Sequence, residues 1–151
     1  MPAVRLAQAS VLVDAVLDRA REIGLAPLTA AVLDPGGHLV VVKRQDGSGI
    51  LRAEIAIAKA WGVLGMGLPA RDLVDRARQI PHFFAALTVL SGGRMMPVPG
   101  GVPLRDESGA VVGAVGVSGD TSANDEECAV HGARAAGLFP WLDRDPDGIG
   151  D

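Results

Sequence analysis

The chain has 151 residues, of which 48% are hydrophobic and 21% charged, so it is long enough for one domain with a sizeable core. Its net charge is −4 and no stretch concentrates Lys and Arg, which argues against a nucleic-acid partner. The single cysteine, Cys128, excludes an internal disulfide, and no apolar run reaches the ~18 residues of a membrane span. We therefore expect a cytoplasmic protein without a membrane segment.

The first half of the chain is predicted to contain a helix, a β-hairpin and further helices. Apolar residues spaced three and four apart predict a helix from Leu6 to Ile23, which Gly24 ends. Two apolar runs, Leu28–Leu33 and His38–Lys43, flank a Pro-Gly-Gly turn and predict the hairpin. Helices are then expected over Ile50–Met66, over Pro69–Gln79 and, more briefly, after Pro81.

The second half is predicted to be rich in strands. Ser122 and Asp125 have the Ser-x-x-acid spacing of a capping box, so a last helix is expected from about Ser122 to Gly137. The order α-β-β-α-α-β-β-β-α has hairpins in place of βαβ crossovers and predicts an α+β domain with a five-stranded antiparallel sheet. The three predicted strands of this half are Arg94–Val98, Val102–Arg105 and Ala110–Val117. We expect one domain over residues 1–138 and an acidic, loosely held tail over residues 139–151.

Glycine-containing motifs occur in both halves of the chain in a particular order. They are Val32–Val40 followed by Asp46-Gly47, then Ala56–Ala60, Pro97–Arg105 and Gly113–Gly119. In sequence and order these motifs resemble a family of small haem-degrading or haem-binding domains, the GlcG/HbpS-like proteins. The resemblance implies a profilin-like sheet with helices on both faces, assembly into homo-oligomers and, in some members, haem binding. It assigns no iron ligand to this chain.

Two cations in the predicted helix 50–66 are candidate ligand-binding residues. Arg52 and Lys59 are seven residues apart, so they lie about 20° apart on one helical face. Such a pair suits a small anion, for example a carboxylate or a tetrapyrrole propionate, although an ordinary solvated face is the alternative. Lys59 is favoured because it lies in the family-like Ala-Lys-Ala context. Gly100 and Gly101 could present backbone N–H groups to an anion, or could form only a turn.

Candidate catalytic residues lie on the last predicted helix. Asp125 lies at its acidic start, and Cys128 and His131, three residues apart, project from one face. Asp125 and His131 are candidates for proton transfer, whereas packing is the favoured role of Cys128. A zinc site needs three or four ligands and only His38 and His82 remain elsewhere, so no metal site is predicted. His38 is interpreted equally as a turn residue or a ligand.

Two functions remain open at this point. The first is binding of a small anionic molecule or a tetrapyrrole, with haem as the cofactor that the resemblance suggests. The second is a cofactor-independent isomerase, lyase or hydrolase acting on a small organic acid. Binding is favoured because the sequence offers no set of nucleophile, base and orienting residue.

Overall fold

A computed structural model describes residues 2–144 of the chain, which contain five helices and five strands. The helices are α1 (Leu6–Glu22), α2 (Arg52–Met66), α3 (Ala70–Gln79), α4 (Pro81–Leu90) and α5 (Ser122–Ala135). The strands are β1 (Thr29–Leu33), β2 (Leu39–Arg44), β3 (Gly101–Arg105), β4 (Val111–Ser118) and β5 (Phe139–Pro140). The predicted first helix, the hairpin and the last helix are confirmed to within a few residues.

The five strands form one sheet in the order β2-β1-β4-β3-β5, and all neighbours are antiparallel. Helices α1 and α5 pack together on one face of this sheet, and α2 packs on the other. The α+β class, the five-stranded antiparallel sheet and the helices on both faces are therefore confirmed.

Each of the central strands contributes side chains to two separate cores. Alternate residues of β1 and β4, such as Val32 and Val115, are buried against α1 and α5. Leu33 and Ala114 point to the opposite face and are buried with α2, α3 and α4. This alternation is the period of two that a strand covered on both faces requires.

Helix α2 lies unusually close to the sheet, at a pair of glycines. Gly101 of β3 and Gly116 of β4 are directly opposed across the two strands. A Cβ atom on Gly116 would overlap the carbonyl oxygen of Ala56, and one on Gly101 would overlap that of Lys59. Because neither position has room for a side chain, the backbone of α2 rests directly on the strands, and this contact brings Lys59 to the end of β4.

The predicted strand at Arg94–Val98 is not formed. Pro97 and Pro99 have no N–H to donate to a sheet ladder, and the segment instead covers α2, with Met95 buried and its sulfur against Gly62.

The fifth strand comes from the predicted tail. Phe139–Pro140 pairs with β3, and the N–H of Trp141 donates to the carbonyl of Pro103. The first residues of the predicted tail are therefore part of the sheet and form one of its edges. Residues 145–151 of that predicted tail lie outside the described residues.

Candidate functional site

Lys59 and Asp125 form an ion pair inside the protein. Nζ of Lys59 donates to Oδ2 of Asp125 at 3.1 Å and to the carbonyl of Val117 at 2.9 Å. The two side chains are 4% and 2% exposed. Burial lowers the pKa of Lys59, and the opposite charge of Asp125 partly counteracts that effect. The pair thus joins α2, on one face of the sheet, to the first turn of α5 on the other.

The start of α5 explains why Asp125 points inward. The residue that caps this helix is Thr121, whose hydroxyl accepts the N–H of Asn124, so the predicted capping box from Ser122 to Asp125 is wrong. Because the helix is capped one residue earlier than predicted, the carboxylate of Asp125 takes no part in a capping box and is available to Lys59. Its second oxygen accepts the N–H of Asp120 at 3.0 Å.

Gly100 and Gly101 form the wall beside Lys59. Gly100 has a φ of +116°, and a Cβ there would lie 2.8 Å from both Nζ of Lys59 and the carbonyl oxygen of Val117. These glycines therefore allow the ammonium group to reach the end of β4. That they bind an anion stays a prediction.

Arg52 lies on the same side of α2 and is only partly buried. Its guanidinium donates to the hydroxyl of Ser118 at 3.2 Å, and its charge contributes to lowering the pKa of Lys59. Five of the six site residues predicted from the sequence therefore lie together, and we call them the Lys59 cluster: Arg52, Lys59, Gly100, Gly101 and Asp125.

His131 lies apart from this cluster. It is exposed on α5, whereas Asp125 on the same helix is buried. Cys128 is fully buried, and burial raises the pKa of its thiol to about 11, as expected for a packing residue. Within residues 2–144, no three His, Cys, Asp or Glu side chains are grouped so that they could hold a metal ion.

A second candidate site is a small apolar cavity of about 170 Å³ between α2, the end of α4 and the segment that follows it. The guanidinium of Arg94 lies 4.5 Å from the centre of the Trp61 ring. We call this recess the Trp61 cavity, and its lining is Trp61, Gly65, Met66, Leu87, Leu90, Ser91, Arg94 and Met95.

Sequence reasoning missed the Trp61 cavity for two reasons. The predicted strand over Arg94–Val98 would place Arg94 and Met95 in the sheet instead of beside α2. Trp61 is one of five aromatic residues in the chain, and its position in the sequence does not show that its ring lies beside a recess.

A larger depression of about 510 Å³ lies between α1 and β2 and is open to solvent. Three cations line it: Arg21 pairs with Asp18, Lys43 pairs with Asp14, and Arg44 donates to a backbone carbonyl, as Arg94 also does at the Trp61 cavity. Of its eight lining residues, three are apolar: Leu17, Leu25 and Pro27. The Trp61 cavity is therefore the better candidate for a flat apolar ligand.

Comparison with known proteins identifies the family of this chain. A family model described as the haem-degrading protein HbpS-like family matches residues 4–134. An uncharacterised 15.0 kDa protein of Citrobacter freundii, from the dhaT-dhaS intergenic region, is 29% identical over 122 residues, which cover 81% of this chain and 84% of that protein.

Two solved structures extend the comparison. A double mutant of HbpS from Streptomyces reticuli is 27% identical, with a TM-score of 0.76 over 89% of this chain and 87% of that one. A PduOC–haem complex shares the fold with a TM-score of 0.80 at 22% identity, over 94% and 99% of the two chains. None of the helices in the described part of the chain has the length and apolar character to cross a membrane.

Proposed function

Because this chain belongs to the family of HbpS-like haem-degrading proteins, we propose that it binds haem or a related tetrapyrrole against the Trp61 cavity. The observation that carries the proposal is an apolar recess with a cation at its rim. Trp61, Met66 and Leu87 supply the apolar surface, and Arg94 supplies the charge. We place this binding in the cytoplasm, in keeping with the single, unpaired cysteine.

The donor groups present fit haem. Haem iron is held in proteins by imidazole, thioether, thiolate or phenolate groups. The chain has three histidines and has methionines at the cavity, but it has no tyrosine, and the thiol of Cys128 is buried with a raised pKa. Imidazole and thioether are therefore the groups that would hold the iron, which supplies ligand-binding and redox chemistry when haem is bound. The guanidinium of Arg94 would pair with a propionate.

The size of the cavity limits how the ligand lies. At about 170 Å³ it is smaller than the ~300–1,000 Å³ typical of pockets that enclose a ligand. It would accept one edge of a tetrapyrrole, and the rest of the ring would lie over the exposed apolar side of α4. Val89 and Leu90 on that side are each 82% exposed. Such a surface also favours contact with a second copy of the chain, so we propose a homo-oligomer.

The alternative of a cofactor-independent enzyme has less support. It requires Asp125 and His131 to act on one substrate, yet Asp125 is buried in its ion pair and His131 is exposed elsewhere on α5. The comparisons give no reason to prefer it.

Titration of the full chain with haemin, followed by visible absorption, tests the proposal. We expect a saturable shift of the Soret band and an affinity about 10- to 150-fold lower in Arg94→Gln, since a charge-assisted hydrogen bond contributes about 1.5–3 kcal/mol. Arg21→Gln, which removes an exposed cation from the other depression, is the matched control and should bind as the wild type does. A wild-type protein that produces no saturable shift contradicts the proposal.

A further inference from the structure

His38 and Asp34 form an imidazole–carboxylate pair in the turn between β1 and β2. Nδ1 of His38 lies 3.1 Å from Oδ1 of Asp34. The same oxygen accepts the backbone N–H groups of Gly36 at 2.9 Å and His38 at 3.0 Å. The backbone N–H of Asp34 donates to the carbonyl of His38 at 2.9 Å. The imidazole is therefore attached to a turn that is itself fixed by hydrogen bonds.

This arrangement determines which ring nitrogen is free. Oδ1 of Asp34 already accepts two backbone N–H groups, as a carboxylate oxygen does, and such an oxygen can only accept. Nδ1 of His38 must then be the donor, and the lone pair of the neutral ring is on Nε2. The side chain is 80% exposed, and Nε2 has no hydrogen-bond partner within the described part of the chain. Histidines that bind metals usually donate their other ring N–H to a carboxylate or carbonyl in this way.

The turn also lies next to the Trp61 cavity. A Cβ on Gly37 would be 3.1 Å from Nε1 of Trp61, so the pyrrole edge of the indole contacts the turn. The benzene edge of the same indole contacts Gly65, which lines the cavity. The turn and the cavity are thus separated by the width of one indole ring, which is narrower than a tetrapyrrole.

Building on the function proposed above, we propose that Nε2 of His38 is an axial ligand of the iron when haem lies against the Trp61 cavity. Asp34 is the positioning residue, which holds the ring orientation and the tautomer. On haem binding, Nε2 would donate its lone pair to the iron and displace a weakly held ligand such as water, with no change of oxidation state.

The other histidines are less suited to this role. Among the described residues, neither His82 on α4 nor His131 on α5 is hydrogen-bonded to a carboxylate. Met66 lines the cavity and is the remaining competitor, with a thioether instead of an imidazole.

The test is a haemin titration of full-length His38→Ala, with His82→Ala and His131→Ala as matched controls. We expect His38→Ala to bind haemin with a shifted Soret band and an altered spin state by electron paramagnetic resonance, and added imidazole to restore the wild-type spectrum. The two controls should keep the wild-type spectrum. Asp34→Asn retains a hydrogen-bond acceptor but loses the charge, so we expect a lower iron–histidine stretching frequency in the resonance Raman spectrum of the reduced protein.

The outcomes separate this inference from the function on which it rests. If His38→Ala keeps the wild-type spectrum, the inference is overturned while haem binding stands, and a changed spectrum in Met66→Leu would then identify the thioether as the ligand. If the wild type binds no haemin, both are overturned. Circular dichroism checks that each variant is folded, which we expect because His38 lies at the surface.

Discussion

Nζ of Lys59 and Oδ2 of Asp125 lie 3.1 Å apart at the junction of α2 and α5, where both side chains are almost completely excluded from water. Removing two charges from water is costly, and their attraction compensates only while both partners are present. The pair therefore makes the packing of α2 depend on the position of α5.

We expect Asp125→Asn to lower the free energy of unfolding by about 3–5 kcal/mol, because it leaves the ammonium of Lys59 buried without its counter-charge. Urea unfolding followed by circular dichroism measures the change. Arg21→Gln, which breaks an exposed pair with Asp18, is the control and should cost at most about 1 kcal/mol. If Asp125→Asn lost no more stability than Arg21→Gln, the buried pair would not be needed for stability.

The predicted role of Lys59 in anion recognition is tested by Lys59→Met, which keeps the apolar stem and removes the charge. The prediction is confirmed if the folded variant loses more haemin affinity than Arg52→Met does. If Lys59→Met loses stability alone, its role is limited to the internal pair. Affinity is measured without urea, at a temperature well below the unfolding midpoint of both variants, so that only folded protein is titrated.

Gly116→Ala should destabilise the protein by about 1–3 kcal/mol, the usual cost of overpacking. The new methyl group would overlap the carbonyl of Ala56, so α2 would have to move away from the sheet. Thermal unfolding measures the effect. Gly49→Ala is the control, because its Cβ would make an ordinary contact, 3.7 Å from Cγ of Arg52. Equal midpoints for the two variants would show that α2 can shift without cost.

Local patterns in the sequence were enough to predict most of the elements, because the periodicity and turn residues that define them act over short distances. The spacing of Arg52 and Lys59 correctly placed both on one side of a helix. The partner of Lys59 could not be inferred, since Asp125 is 66 residues away along the chain and its inward orientation depends on the cap at Thr121.

The segment at Met95 shows a different limit of sequence reasoning. The spacing of the turns favoured a strand over Arg94–Val98, but Pro97 within it cannot complete a ladder and the core beneath α2 required a cover. This choice depends on tertiary packing, which no local pattern encodes. The pair of Asp34 and His38 was within reach of local reasoning, yet only its position beside Trp61 gives it a functional interpretation.

Cys128 predicts a loss of stability at alkaline pH. Its pKa is about 11 in the folded protein against 9.0 for a free thiol, so between these values the unfolded chain releases a proton that the native state retains. The stabilisation is complete below pH 9 and is lost as the pH rises to 11, by about 2–3 kcal/mol in total. Urea unfolding at several pH values should show a shallower decline in Cys128→Ala than in the wild type. Parallel curves for the two proteins would contradict the assignment.

The exposed apolar side of α4 predicts self-association. Val89 is 82% exposed on a helix whose only fully buried side chain is Phe84, so a contact that covers this side removes apolar surface from water. We expect light scattering to give a wild-type mass above that of one chain at micromolar concentration, and Val89→Lys to lower that mass without changing the circular dichroism spectrum. Val11→Lys places the same charge on a half-exposed position of α1 and should leave the mass unchanged. A monomeric wild type, or a Val11→Lys variant that dissociates while Val89→Lys does not, would exclude α4 as the interface.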